Sequence, residues 1–272
     1  PTLPTVIAKM LELVDNPKTS ASTLSSLIMR DQVLTARILK LANSSFYAFP
    51  RQIATVKLAL VVLGFENVKE MALSLSVLNQ FKGENSKHFD TSMFWQHSVS
   101  VGACTRMLAR DTCYRLAGEA FVAGLLHDIG KVVLNQYLPK EFAEIQTLIF
   151  EGNWECDKAE QEILGVTHAE VGAWLAERWN LPVILVEAIR YHQHPEFCPR
   201  NSELPLLVYL GDYLSAKCNL GKSGSKGIET LPEPIMEMAR KSLSLTPESL
   251  EGFRSGLYAE YDKASSFMME AA

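Results

Sequence analysis

Apolar residues recur along nearly the whole chain at three- and four-residue spacing, and no stretch alternates apolar and polar positions between turns, so the pattern predicts an all-α fold. Up to about Phe81 it predicts four or five short helices. Pro4 can open the first, Leu3, Val6, Ile7, Met10, Leu11 and Val14 form its apolar face, and Asp15-Asn16-Pro17 ends it. Residues 20–28 and 31–43 follow as a helix pair. The second turns Val33, Leu34, Ile38, Leu39 and Leu41 inward and breaks at Asn43-Ser44-Ser45. Residues 53–63 and 67–78 then flank Gly64-Phe65-Glu66. That outline could suit a DNA-reading helix-turn-helix, but Glu66-Asn67-Val68-Lys69-Glu70 offers phosphates little positive charge, which favours a plain helical hairpin.

The polar run Lys82 to Phe89 marks a boundary, giving an N-terminal helical subdomain at 1–86 and a second at 87–220. In the second, helices are expected at 92–112, 117–127, 141–153, 157–164, 168–179, 182–192 and 204–218. The tail, 221–272, reads as a linker and helices at 233–243 and 248–269, the latter with Thr246 as cap and Pro247 in the first turn. Gly221 to Gly227 (GKSGSKG) looks like a phosphate loop only superficially. It lacks a preceding strand and the required spacing, so a mobile linker is expected.

With 272 residues, 47% of them hydrophobic, the chain can bury a real core. A net charge of −5, with no long Lys/Arg block, argues against a general binder of nucleic acid or anionic membrane. The five cysteines form no CxxC pair and read as reduced thiols in a cytoplasm. No apolar run reaches membrane-span length, and the start at Pro1 reads as trimmed or processed.

Against this background one run stands out. Leu125-Leu126-His127-Asp128-Ile129-Gly130-Lys131 sets three polar groups at the end of an oily helix, where burial is costly unless something binds them. An adjacent imidazole and carboxylate suit a zinc-, iron- or manganese-like ion. His97, His168, His192 and Asp212 share the property of sitting on or at the ends of apolar helices in the same subdomain. Thr167-His168-Ala169-Glu170 has capping-box form, which fixes His168 in a first helical turn. Taken singly, each has an ordinary alternative: a hydrogen-bonded core histidine for His97 or His168, solvent for Asp212, a helix cap for Asp128. The joint pattern favours a metal centre made of His97, His127, Asp128, His168, His192 and Asp212.

That order of residues, with Lys131, resembles the HD superfamily of metal-dependent phosphohydrolases and looks like its HD-GYP cyclic-dinucleotide phosphodiesterases. The sequence from Pro1-Thr2-Leu3-Pro4 through Asp31-Gln32-Val33-Leu34-Thr35, Leu41-Ala42-Asn43-Ser44 and Leu63-Gly64-Phe65 to Tyr191-His192 resembles the HDOD family, the HD-related output domain of bacterial signalling proteins. The resemblance implies two helical subdomains, the second an HD-type bundle around a metal site. The chain departs from HD-GYP, with Met93 where an extra glutamate ligand would stand, Gln193 in place of a second adjacent histidine, and no GYP segment. One or two divalent ions are therefore expected, iron or manganese ahead of zinc, with Asp128 able to bridge.

The two families imply different activities. A catalytic protein would be a metal-dependent phosphohydrolase or phosphodiesterase acting on a nucleotide-like phosphate ester. In that case Asp128 and Lys131 take part in catalysis, Lys131 meeting a substrate phosphate one helical turn from His127. Arg106 and Arg190 could extend the phosphate site, and His194 is a lesser candidate for proton transfer. HDOD proteins commonly lack the metal residues, which implies the other reading: a non-catalytic cytoplasmic output module with a structural or sensory metal, meeting a signalling partner through residues 1–81.

Overall fold

The computed structural model describes residues 2–14, 16–81, 85, 87–114 and 117–271, and all regular structure among them is helical. Asp15, expected to help end the first helix, and Lys82, Gly83, Glu84 and Ser86 of the polar boundary lie outside the described residues. The chain divides into two compact units, Pro1–Phe81 with Asp262–Ala272, and Lys82–Tyr261.

The first unit holds α1 (Thr5–Val14), α2 (Ala21–Ile28), α3 (Gln32–Ala42), α4 (Val56–Val62) and α5 (Phe65–Gln80). The caps are local and sequence-driven. Ser20 accepts the Thr23 N–H at the start of α2, and Asp31 accepts that of Leu34 at the start of α3. Ile7, Met10, Leu24, Ile28, Ile38 and Leu41 form a sealed core, as their helical spacing requires. Val33 is the exception, 63% exposed rather than inward, because the buried stripe of α3 runs through Leu34, Ile38 and Leu41 and leaves position 33 off its edge. Asn43 does more than end α3. Its side chain both donates to and accepts from the backbone of Ile53, pinning the following loop.

The second unit is the one that concerns function. It comprises α6 (Thr91–Asp111), α7 (Ala117–Leu126), α8 (Ile129–Tyr137), α9 (Pro139–Phe150), α10 (Cys156–Leu164), α11 (His168–Arg178), α12 (Val183–Tyr191), α13 (Glu203–Lys217), α14 (Glu233–Leu243) and α15 (Pro247–Ala271) as far as Tyr261. The pattern did not mark α8 as a helix. The structure makes it one, with Ile129, Val132 and Leu134 buried.

Helix α6 packs against both α7 and α13, and α11 against α8 and α12. The α6–α7 crossing is close because it runs on glycine: a Cβ on Gly124 would lie 2.7 Å from the Cα of Gly102. No helix among the described residues is long and apolar enough to cross a membrane.

Candidate metal centre

Helix α7 runs out at Leu126 and α8 begins at Ile129, which leaves His127 and Asp128 on the corner between two apolar helices. Asp128 occupies the N-cap of α8 but makes no side-chain cap bond, so its carboxylate is free to point elsewhere. Two residues on, a Cβ at Gly130 would lie 1.9 Å from the His168 carbonyl oxygen; only glycine lets α8 abut the start of α11. At that start the expected capping box is present, Thr167 accepting from the Glu170 backbone and the Glu170 side chain accepting from Thr167. His192 caps the C-terminus of α12, while His97 and Asp212 sit within α6 and α13. A buried hydroxyl pair, Ser215 donating to Ser100 at 2.7 Å, ties those last two helices together.

Three of the imidazoles meet around the Asp128 carboxylate, and His97 and Asp212 join them through His127. Its Oδ1 lies 3.0 Å from His168 Nε2 and 3.4 Å from His192 Nε2, and its Oδ2 lies 3.3 Å from His127 Nε2. His97 Nε2 stands 3.2 Å from Asp212 Oδ1, and the rings of His97 and His127 are 5.4 Å apart between centroids. Three donor sets are each gathered within 4.8 Å: His127, Asp128 and His192; His97, His127 and Asp212; and, on the far side of the His168 ring, Cys156, Glu160 and His168. Asp212, at 23% side-chain exposure, is the most open member, whereas His97, His127, Asp128, His168 and His192 are buried.

The hydrogen bonds set which nitrogen each ring presents. His127 Nδ1 is 2.7 Å from the Gly124 carbonyl, His192 Nδ1 is 2.8 Å from the Ile189 carbonyl, and His168 Nδ1 is 2.8 Å from Glu160. Because those partners only accept, each Nδ1 carries the proton and each Nε2 faces the cluster, the arrangement in which protein imidazoles bind metals. The buried Nε2 atoms of His97 and His127, although 3.2 and 3.3 Å from carboxylate oxygens, make no well-aligned hydrogen bond among the described residues. Such orphans in a buried cluster of imidazoles and carboxylates fit a divalent ion, which would supply the missing partner.

Charge inside the cluster is strongly coupled. Burial pushes the Asp128 carboxyl up, yet neighbouring His127 and Lys131 outweigh it and hold the group well below the usual carboxylate range. Burial also works against charge on His168, but Glu160 raises that imidazole well above its ordinary value. His127 is raised against its own burial by Asp128. His192 goes the other way, burial driving it down to about 4.

Lys131 is buried, its ammonium 2.7 Å from Asp128 Oδ2 and 3.0 Å from the Ser225 hydroxyl. The Gly221–Gly227 segment is therefore not the free linker its composition suggests. Lys222 N–H donates to the Met93 carbonyl at 3.0 Å, Gly224 accepts from Gln146 at 2.8 Å, and Ser225 takes up Lys131. Gly221 has φ +81°, and a Cβ on it would lie 2.2 Å from the backbone nitrogen of His97, so the strap presses on the helix that carries a candidate ligand.

Arg190 and His194, also considered from the sequence, bond partners outside the six. Arg190 is bonded to Glu177 at 2.9 Å, and it lines a surface groove with Tyr191, Arg200 and Glu187. His194 is half exposed, 3.5 Å from Asp157 and 3.3 Å from Glu196, and Arg106 is buried in α6. Sequence reasoning missed Glu160, which is fully buried and holds His168. In a helix that also carries Asp157 and Glu162, its one distinguishing sign is that it shares the inward face with Ala159.

With fold and site in view, the comparisons agree on one family. Residues 1–195 match the model of the HDOD domain, and the chain belongs to that family. It is similar to the crystal structure of an HDOD domain protein of unknown function from Geobacter sulfurreducens, at 28% identity and a TM-score of 0.82, covering 98% of this chain and 93% of that one. A Shewanella amazonensis SB2B protein provisionally named a phosphohydrolase is similar at 25% identity and a TM-score of 0.78, covering 100% of this chain and 95% of that one. A protein from Marinobacter aquaeolei VT8, provisionally named for signal transduction, is similar at 26% identity and a TM-score of 0.77, covering 100% of this chain and 59% of that one. Among curated proteins, an uncharacterized protein of Treponema pallidum (strain Nichols) is 26% identical over 73% of this chain, which spans 38% of that protein's length.

Proposed function

We propose that this HDOD chain keeps a working divalent-metal centre and uses it to hydrolyse a nucleotide-like phosphate ester within a bacterial signalling pathway. The supporting observation is the set of three buried imidazoles whose Nδ1 atoms are tied to acceptors and whose Nε2 atoms converge on one carboxylate. His97, His127 and Asp212 would hold one ion and His168 and His192 a second, with Asp128 offering one oxygen to each side. His127 has a single free nitrogen, so it can serve one ion only, and the carboxylate is the group able to bridge. Iron or manganese is the expected metal, with zinc the alternative.

A divalent ion held there would supply Lewis acidity, easing deprotonation of a water nucleophile near neutral pH and offsetting charge on phosphoryl oxygens. The protein's own groups prepare for that. Lys131 holds the Asp128 carboxylate ionised and in place. Buried apolar walls from α6, α7 and α11 keep competing water out. Free cysteines at positions 104, 113, 156, 198 and 218 accord with a reducing, cytoplasmic setting.

The test has two arms. Protein purified without added metal should carry a transition metal on elemental analysis, and it should cleave a generic phosphodiester or a cyclic dinucleotide. Both properties should vanish in folded His127→Ala and Asp128→Ala. Metal without turnover would favour a second reading, supported by the low exposure of the cluster, whose histidines and Asp128 are at most 3% exposed. Under that reading the ion is structural or sensory, and the first unit meets a signalling partner.

A further inference from the structure

From the contacts of Glu160 we infer that it is a positioning residue of the metal centre, selecting the tautomer of His168 that presents Nε2 and making that ring its most electron-rich donor. This rests on the metal centre proposed above. Both Glu160 oxygens lie 2.8 Å from His168 Nδ1, and Oε2 also accepts the His168 backbone N–H at 2.9 Å. The carboxylate thus grips both the ring and the first residue of α11, at a helix N-terminus where negative charge is favoured. The Cys156 thiol donates to Oε1 at 3.5 Å and helps fix its orientation.

Comparison among the three rings makes Glu160 specific. His127 and His192 lean on neutral carbonyls of their own helices, three residues back. His168 alone among them leans on a buried anion, brought from another helix eight residues earlier in the chain. An ionised carboxylate can only accept, so Nδ1 must donate and Nε2 is left with its lone pair for the ion. The negative partner also raises the basicity of that lone pair, as carboxylate–histidine pairs do in known metal sites. On the opposite side of the ring stands Asp128, 3.0 Å from Nε2, so the imidazole is clasped between two carboxylates of different role.

The experiment uses the intact chain with Mn2+ and Zn2+ as probes. In Zn2+-loaded wild type, long-range 1H–15N spectra should show His168 with a protonated Nδ1 and a coordinated Nε2. Glu160→Gln keeps the shape, removes the charge and lets an amide face Nδ1. It should weaken Mn2+ binding, followed by electron paramagnetic resonance, about 10- to 100-fold. Glu162→Gln, which removes the same charge from an exposed position on α10, should leave Mn2+ affinity unchanged.

Coordination through His168 Nδ1, or Glu160→Gln binding Mn2+ as tightly as wild type, would overturn the inference while leaving the metal centre standing. Wild type that takes up neither ion would remove the metal centre and this role together. Should Glu160→Gln fail to fold, the wild-type spectrum still decides.

Discussion

The ammonium nitrogen of Lys131 lies 2.7 Å from Oδ2 of Asp128, with both residues 2% exposed, so the central carboxylate of the cluster has a fixed buried counter-charge. Removing one member of such a pair strands the other. Lys131→Met should destabilise the metal-free protein by about 3–5 kcal/mol in urea unfolding. An effect below about 1 kcal/mol, the range of exposed pairs, would show that the pair carries no such burden.

Metal content should respond to which side of Asp128 is cut. If the carboxylate is shared by two ions, Asp212→Asn should lower the metal-to-protein ratio while leaving an ion beside His168 and His192. His192→Ala should spare the ion beside His97. Asp128→Ala should empty both, and Mn2+ at about 100 times its Kd, which raises wild-type stability by about 2.7 kcal/mol, should then have no effect. Equal loss in all three variants would instead indicate one shared ion.

Acid should weaken the metal-free protein in a defined window. His192 has its pKa depressed from 6.5 to about 4, so the unfolded chain takes up a proton there that the folded one refuses. Stability contributed by the neutral ring is present above pH 6.5 and falls as pH drops toward 4. His168 and His127, raised above 6.5, act in the opposite sense near that value, adding stability as the pH falls through it, and add no further slope once the unfolded rings are charged as well. Glu160, lowered from 4.5, loses its contribution only below that value. Urea midpoints stepped from pH 5.5 to 4.5, below the range in which His127 and His168 contribute, should therefore decline, and His192→Asn should flatten the decline.

The strap offers a backbone test. Gly221→Ala would need φ +81° and would drive a Cβ to 2.2 Å from the His97 nitrogen, so the segment or α6 must move. A loss of about 1–3 kcal/mol is expected, the cost of forcing a side chain into such a backbone. Weakened Mn2+ binding should accompany it, because His97 rides on the displaced turn. Unchanged melting and binding would show that the strap does not bear on that helix.

How far the sequence foretold this depends on which residues are asked. His97, His127, Asp128, His168, His192 and Asp212 were legible because each is a polar group on an otherwise apolar helical face, and the structure gathers all six. The capping box at Thr167 was legible for the same local reason. Helix α8 was not, since the polar corner before it and its short run masked the 3.6-residue period. Glu160 was hidden by company, one acid among several in α10, distinguished only by what it meets in space. Gly221 to Ser225 misled because glycine and serine read as linker, while the contacts that hold them, to Met93, Lys131 and Gln146, are remote in sequence.

Asp212 and the strap both lie beyond residue 195, where the match to the family domain stops. The matched region of this chain therefore carries all four imidazoles and Asp128, and the later residues add Asp212 and the strap that bonds Lys131. A fragment ended at that boundary would open His97 and Lys131 to bulk water. Proteins with the same helices but a different stretch after α12 can thus share a skeleton and still differ in how tightly an ion is sheltered from solvent.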